Sequence, residues 1–175
     1  MSVNFSLDYF ALFNLPRRFR LNGATLDRAW HALQTEVHPD RHAHLPSSRS
    51  AVAGSLRVNE AYSVLKKPIT RAQYLLELAG IRQEAITGNI MSSEYLMEQL
   101  EWREAVEEAR ETNDVDALEQ LMLRLQIQMD GIIRQLAEQL DDRRDFKAAA
   151  DTVRQMMFLE KLRHGIDNAL AALDN

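Results

Sequence analysis

His38, Pro39 and Asp40 set an imidazole, a rigid turn and a carboxylate side by side in a chain of 175 residues. Pro39 fixes its own φ, removes a backbone donor and pushes His38 towards extended geometry. A carboxylate presented from so constrained a loop loses little entropy on docking, and it suits pairing with a partner's guanidinium. Arg41, His42 and His44 follow at once. Three imidazoles within a few residues also admit a metal-holding loop, since imidazole-only sites exist. No carboxylate stands behind these imidazoles to orient them, which makes a poorly preorganised site. Nucleophilic chemistry finds no support. The chain has no Cys, no Gly-x-Ser-x-Gly elbow, no Gly-rich phosphate loop and no His-Glu-x-x-His pair. The expectation is a binding protein without an ATPase, cofactor or metal of its own.

The surrounding elements read as helices. Apolar Phe10, Leu12, Phe13 and Leu15 predict a short helix over 8–15, ended by Pro16. Leu26, Trp30, Leu33 and Val37 recur at helical spacing after Asn22, a good N-cap residue, and predict a helix up to His38. A turn-like segment, 40–48, leads into a third helix over 48–65. Its stripe is Ala51, Gly54, Val58, Ala61 and Leu65. Lys66-Lys67-Pro68 interrupts it, and a short helix over 70–79 stops at Gly80. The tripeptide therefore sits between two antiparallel helices. With Asp8-Tyr9-Phe10-Ala11-Leu12-Phe13-Asn14-Leu15 upstream, and Asn59-Glu60-Ala61-Tyr62-Ser63-Val64-Leu65 and Arg71-Ala72-Gln73-Tyr74 downstream, residues 8–78 resemble the J domain of DnaJ-type co-chaperones. That resemblance implies that His38, Pro39 and Asp40 dock on a DnaK-type chaperone and stimulate its ATP hydrolysis. Basic residues on the second helix help steer that encounter in the family. Here they are Arg28 and His31, with Ala32 and Gln34 in place of a dense Lys/Arg run, and Arg41 follows the motif.

Residues 80–91, centred on Thr87-Gly88-Asn89, read as a linker between an N-terminal domain over 1–79 and a C-terminal domain over 92–175. The latter predicts three longer helices: 92–111, 115–140 and 146–173. The turns between them are Asn113-Asp114 and the polar stretch 141–145. Their stripes include Leu118, Leu125, Met129, Ile132 and Leu136, then Val153, Met156, Leu159, Leu162 and Ile166. The expected architecture is all-α: a helical hairpin with short flanking helices, followed by an elongated antiparallel three-helix bundle.

The first helix of that bundle is apolar twice over. With about 100° per residue and Leu96 at zero, Tyr95, Trp102, Val106 and Ala109 cluster at about 220–280°. Leu96, Leu100, Glu104, Met97, Glu108 and Glu101 spread over about 0–140° on the other side of the wheel. One helix of a three-helix bundle rarely buries two such faces, so Leu96, Met97 and Leu100 are expected to be exposed as an apolar patch edged by carboxylates. Packing against the N-terminal domain is the alternative way to cover them. The run Tyr95-Leu96-Met97-Glu98-Gln99-Leu100-Glu101-Trp102-Arg103-Glu104 looks like the signature helix of the HscB family. Ala148-Ala149-Ala150-Asp151-Thr152-Val153-Arg154 and Phe158-Leu159-Glu160-Lys161-Leu162-Arg163 match that family's last helix. HscB proteins are the J-type co-chaperones of iron–sulfur cluster assembly. The resemblance implies that Leu96, Met97, Leu100, Glu101, Glu104, Glu108 and Phe158 contact an IscU-like scaffold protein. It also implies that the chain delivers this scaffold to an HscA-like, DnaK-type chaperone. Phe158 flanks the seam of its helix, so partial exposure is expected. With no N-terminal cysteine module, the chain resembles the bacterial form.

Charge agrees with two domains of different partners. Residues 1–78 carry 10 Lys/Arg against 6 Asp/Glu, whereas 79–175 carry 11 against 20. The N-terminal excess is modest and lacks the aromatic-basic pattern of a nucleic-acid groove. No apolar run approaches the roughly 18 residues that would span a bilayer, and the first residues have no secretory pattern. A cytoplasmic location is expected. The rival readings are a general J-type co-chaperone for unfolded clients and a metalloenzyme built on the histidine loop.

Overall fold

The computed structural model describes residues 7–37, 48–88 and 92–173. Among them there is no β-strand. The chain divides into two compact units, Met1–Leu78 and Ala79–Asn175.

The first unit is opened by Asp8. Its carboxylate accepts hydrogen bonds from the backbone N–H of Phe10 and Ala11, capping helix α1 (Tyr9–Leu12), and its second oxygen is bridged by Arg17. The helix expected over 8–15 is only these four residues long. Asn14 adopts the left-handed conformation, φ 54°, and Leu15 N–H reaches back to Phe10 O at 2.8 Å while Asn14 N–H bonds Ala11 O. This is a Schellman closure, and Asn tolerates the required φ better than most residues. Phe10, Leu12 and Phe13 are thereby turned into a core with Leu26, Val58, Ala61 and Leu65.

Helices α2 (Gly23–Val37) and α3 (Ser48–Lys66) form the hairpin. Polar ties across the hairpin supplement its apolar contacts. Lys66 Nζ and Tyr62 Oη both donate to Asp27 Oδ1, at 2.5 and 2.9 Å. Trp30 stacks on Tyr62 with ring centroids 4.7 Å apart and donates through Nε1 to Asn59 Oδ1, which also accepts from Gln34. The hydrogen bonds from Lys66 and Tyr62 hold the Asp27 carboxyl below the ordinary carboxylate range. Helix α4 (Pro68–Leu78) starts two residues earlier than the pattern indicates, because Pro at the first helical position gives up only a donor that would have no partner there. Its Tyr74 hydroxyl accepts from Tyr9 N–H at 3.0 Å, and the two rings stack.

In the second unit, the segment expected to be a linker contains a one-turn helix, α5 (Gln83–Thr87). Its Ile86 is 1% exposed, and Arg154 donates to the Ile86 carbonyl from the last helix of the chain. A single apolar anchor is too little periodicity to signal a helix, so this element emerges only from packing. Gly88 ends this helix, and a Cβ there would stand 2.7 Å from Glu84 O.

Three longer helices follow: α6 (Ser93–Glu111), α7 (Val115–Ala137) and α8 (Phe146–Leu173). Ser92 caps α6 through Tyr95 N–H. Asn113, at φ 53°, closes α6 with a second Schellman pair, Asp114 N–H to Ala109 O and Asn113 N–H to Arg110 O. Asp114 then caps α7 through Ala117 N–H at 2.9 Å. The α7 ladder passes at Glu138–Arg143 into a π-helix, so α-geometry ends three residues before the expected Leu140. The polar stretch 141–145 is the end of that wider turn plus a cap rather than a plain break: Arg144 takes φ 53° and Asp145 caps α8 through Ala148 N–H. The core seam joins Leu118, Leu125, Leu136, Val153, Met156 and Leu159, all essentially buried.

Asp8 yields a test. Burial pushes its carboxyl upward, but the hydrogen bonds from Ala11, Arg17 and Phe10 outweigh this and the net displacement is below 3.8. Its contribution to stability is therefore present above about pH 4 and is lost as pH falls through the lowered value. Asp8→Ala should cost about 1 kcal/mol near neutrality. Asp8→Asn should retain most of the cap yet flatten the acid dependence. Denaturant unfolding followed by circular dichroism at about pH 7 and about pH 3 separates the two effects.

Candidate functional site

Of the residues expected to meet a chaperone, His38, Pro39, Asp40 and Arg41 lie outside the described residues, as do His42 and His44. Their flanks are described. Helix α2 runs to Val37, and α3 begins at Ser48. Arg28 is exposed on α2 and donates to Thr25 Oγ1 at 3.3 Å. Among the described residues, no group of three His, Cys, Asp or Glu is placed to hold a metal ion.

Helix α6 carries the second surface. Trp102 is 1% exposed and lies under the guanidinium of Arg124 on α7, 4.5 Å from its ring centroid. Val106 and Ala109 are buried on the same side, and Glu98 accepts from Gln128 of α7 at 2.7 Å. Tyr95 points towards α8, where it meets Phe158 edge-on with centroids 6.2 Å apart. Burial raises the pKa of its phenol. These contacts set the rotation of α6 about its axis. The face turned away from them holds Leu96, Met97 and Leu100, which are 52%, 60% and 51% exposed.

Glu101, Glu104 and Glu108 are exposed on that same face, and among the described residues none of them is in an ion pair. The surface is thus a strip of three flexible apolar side chains with unneutralised carboxylates beside it. Such a strip matches a partner that offers apolar contact with a basic rim. Exposed carboxylates of this kind contribute mainly to encounter rate and orientation, while buried apolar anchors supply most of the affinity.

Phe158 departs from expectation. It is 9% exposed rather than partly open. Tyr95 closes one edge of its ring, and the Arg103 guanidinium lies 5.9 Å from its centroid. Six of the seven expected contacts therefore share one open face, and the seventh lies beneath a cover. The sequence places Arg103 at the border between the two faces of α6. Its position over Phe158 depends on how α6 and α8 meet, which periodicity does not encode.

Comparison with known proteins bears on both halves. The family model described as the HSCB C-terminal oligomerisation domain matches residues 91–167. A protein from Azoarcus sp. (strain BH72), named co-chaperone protein HscB homolog, is 55% identical over 177 residues covering the whole of both chains. Its counterpart in Aromatoleum aromaticum is 51% identical over 99% of each chain. Among solved structures, the chaperone HscB from Vibrio cholerae superposes with a TM-score of 0.84 at 34% identity, covering 95% of this chain and 99% of that one. Human co-chaperone HscB gives 0.86 at 26% identity, covering 93% and 81% respectively.

Burial separates surface from core in a way that stability measurements check. Leu96→Ala with Leu100→Ala should leave the unfolding free energy within about 1 kcal/mol of the wild type, because little packing is lost. Phe158→Ala should cost about 3–5 kcal/mol. A comparably large loss in the double variant would show that Leu96 and Leu100 are core.

Proposed function

The chain belongs to the HscB co-chaperone family, and from that premise we propose that it is an adaptor between an IscU-like iron–sulfur scaffold protein and an HscA-like ATPase. The observation that carries the reading is the open α6 face: half-exposed Leu96, Met97 and Leu100 beside the unpaired carboxylates of Glu101, Glu104 and Glu108, on a helix whose opposite side is locked in the core. This face holds the scaffold. Leu96 and Leu100 enter an apolar recess on it, Met97 adapts to the contour, and the glutamates meet its basic groups. Phe158 joins only where Arg103 yields its place over the ring.

The basic first unit engages the chaperone. Asp40 pairs with a guanidinium of the ATPase, His38 bonds beside it, and Pro39 keeps both from losing entropy on docking. Arg28 and Arg41 steer the approach. With both partners bound to one chain, the scaffold's effective concentration at the chaperone rises without any new contact between the two. Hydrolysis in the chaperone then captures the scaffold, which favours release or transfer of its cluster. The chain performs no hydrolysis itself and needs no cofactor, and the work takes place in the cytoplasm.

Steady-state ATP hydrolysis by the HscA-like chaperone, with and without scaffold, tests both halves. The wild type and scaffold together should stimulate more than the sum of their separate effects. Asp40→Asn should abolish the stimulation by this chain while scaffold binding is retained. Leu96→Ala with Leu100→Ala should do the reverse, removing the synergy and weakening scaffold binding by about 2 kcal/mol or more. Stimulation indifferent to scaffold would instead identify a general J-type co-chaperone. Glu101→Gln with Glu104→Gln should slow association and reduce its salt dependence.

A further inference from the structure

The sulfur chemistry of this chain is confined to thioethers, since it holds 7 Met and no Cys. The fold sorts those thioethers by access. Met129 and Met156 are 9% and 1% exposed, and Met122 and Met157 are half-buried. Met97 is 60% exposed, and among the described residues no other methionine is open to this degree. An oxidant reaches such a sulfur before it reaches one in the core. The accessible sulfur is also the one on the α6 strip, at about 100° on the wheel, between Leu100 at about 40° and Glu101 at about 140°.

We propose that Met97 is a reversible oxidation site whose sulfoxide weakens scaffold binding, a proposal that rests on the reading of α6 as the scaffold-holding face. The oxidant is a peroxide. The sulfur lone pair attacks one peroxide oxygen, the O–O bond breaks and an S–O bond forms. The departing hydroxide takes the proton of the transferred hydroxyl and leaves as water. Sulfur is thereby oxidised by two electrons and the peroxide reduced. The product is a polar side chain in the middle of an apolar contact. Its oxygen must leave water when the strip docks in an apolar recess, which is costly without a replacement hydrogen bond. Leu96 and Leu100 offer it no donor, and the ionised carboxylates of Glu101, Glu104 and Glu108 only accept. Met97 faces away from the core, so the oxidised chain stays folded and loses only its surface. Reduction by methionine sulfoxide reductases, with a dithiol taking the oxygen off as water, returns the thioether.

The full chain treated with millimolar hydrogen peroxide, quenched with free methionine and mapped by peptide mass spectrometry tests this. Circular dichroism follows its unfolding, and calorimetry follows binding of purified IscU-like scaffold. Met97 should be oxidised several-fold faster than Met122, Met129, Met156 and Met157, and bound scaffold should slow its oxidation by a similar factor. The chain oxidised at Met97 should bind scaffold about tenfold more weakly at an unchanged unfolding midpoint. Methionine sulfoxide reductases with a dithiol should restore the affinity. Met97→Leu, compared with its own untreated sample, should show no effect of peroxide on binding. Faster oxidation of any of the other four methionines overturns the proposal, and so does full binding by the oxidised chain. A lowered unfolding midpoint would make the loss structural and overturn it too. If Met97→Leu also loses scaffold under peroxide, another methionine is responsible and the proposal fails. An untreated wild type that does not bind scaffold overturns the reading of α6 itself, and this proposal with it. The order of oxidation is measured without scaffold, so the two failures are told apart.

Discussion

The rotation of α6 about its own axis governs what the second unit can do. Trp102 is clamped between the core and the Arg124 guanidinium, and Glu98 is bonded to Gln128 one turn away. With those groups engaged on α7 and Tyr95 engaged on Phe158 of α8, α6 has no freedom to roll. A roll of about one residue's angle would carry Leu96 towards the core and lift Trp102 into water. A fully buried indole opposes this with several kcal/mol. The exposed apolar strip is therefore held out by what is buried behind it.

The first unit solves a different problem with similar means. A hairpin needs its two helices fixed relative to each other. Apolar contact among Phe10, Leu26, Val58 and Leu65 supplies the adhesion, being roughly proportional to buried area and indifferent to direction. The Asp27, Tyr62 and Lys66 cluster and the Trp30–Asn59 bond add direction, because hydrogen bonds tolerate little misalignment. Asp27 and Lys66 reinforce each other: the Lys66 hydrogen bond lowers the Asp27 pKa, and that same bond raises the pKa of Lys66. Exposed pairs contribute modestly to stability, so the value of this cluster lies more in geometry than in energy.

The charge division follows the division into two units. An excess of 4 positive charges over residues 1–78 and of 9 negative charges over 79–175 give the two units opposite long-range fields. Each unit favours partners of the opposite sign and disfavours those of its own. On α6 this field is focused, since three carboxylates lie along one face and, among the described residues, none of them is in an ion pair.

Much of this was legible from local pattern. The starts of α2 and α6 follow from Asn22 and Ser92 as caps, and the end of α6 and start of α7 from the Asn113-Asp114 turn, all of which act within a few residues of chain. The two faces of α6 follow from spacing alone, because a helix converts spacing into direction. Tertiary structure decided the rest, by bringing together side chains far apart in sequence. Arg154 gives α5 a reason to fold by holding the Ile86 carbonyl 68 residues away. Arg103 and Tyr95 cover Phe158, a ring that its own helix would have left at the edge of the seam. Which residues form helices is settled by neighbours in the chain. Which of their side chains reach water is settled by the elements that pack against them, and no stretch of sequence contains that information by itself.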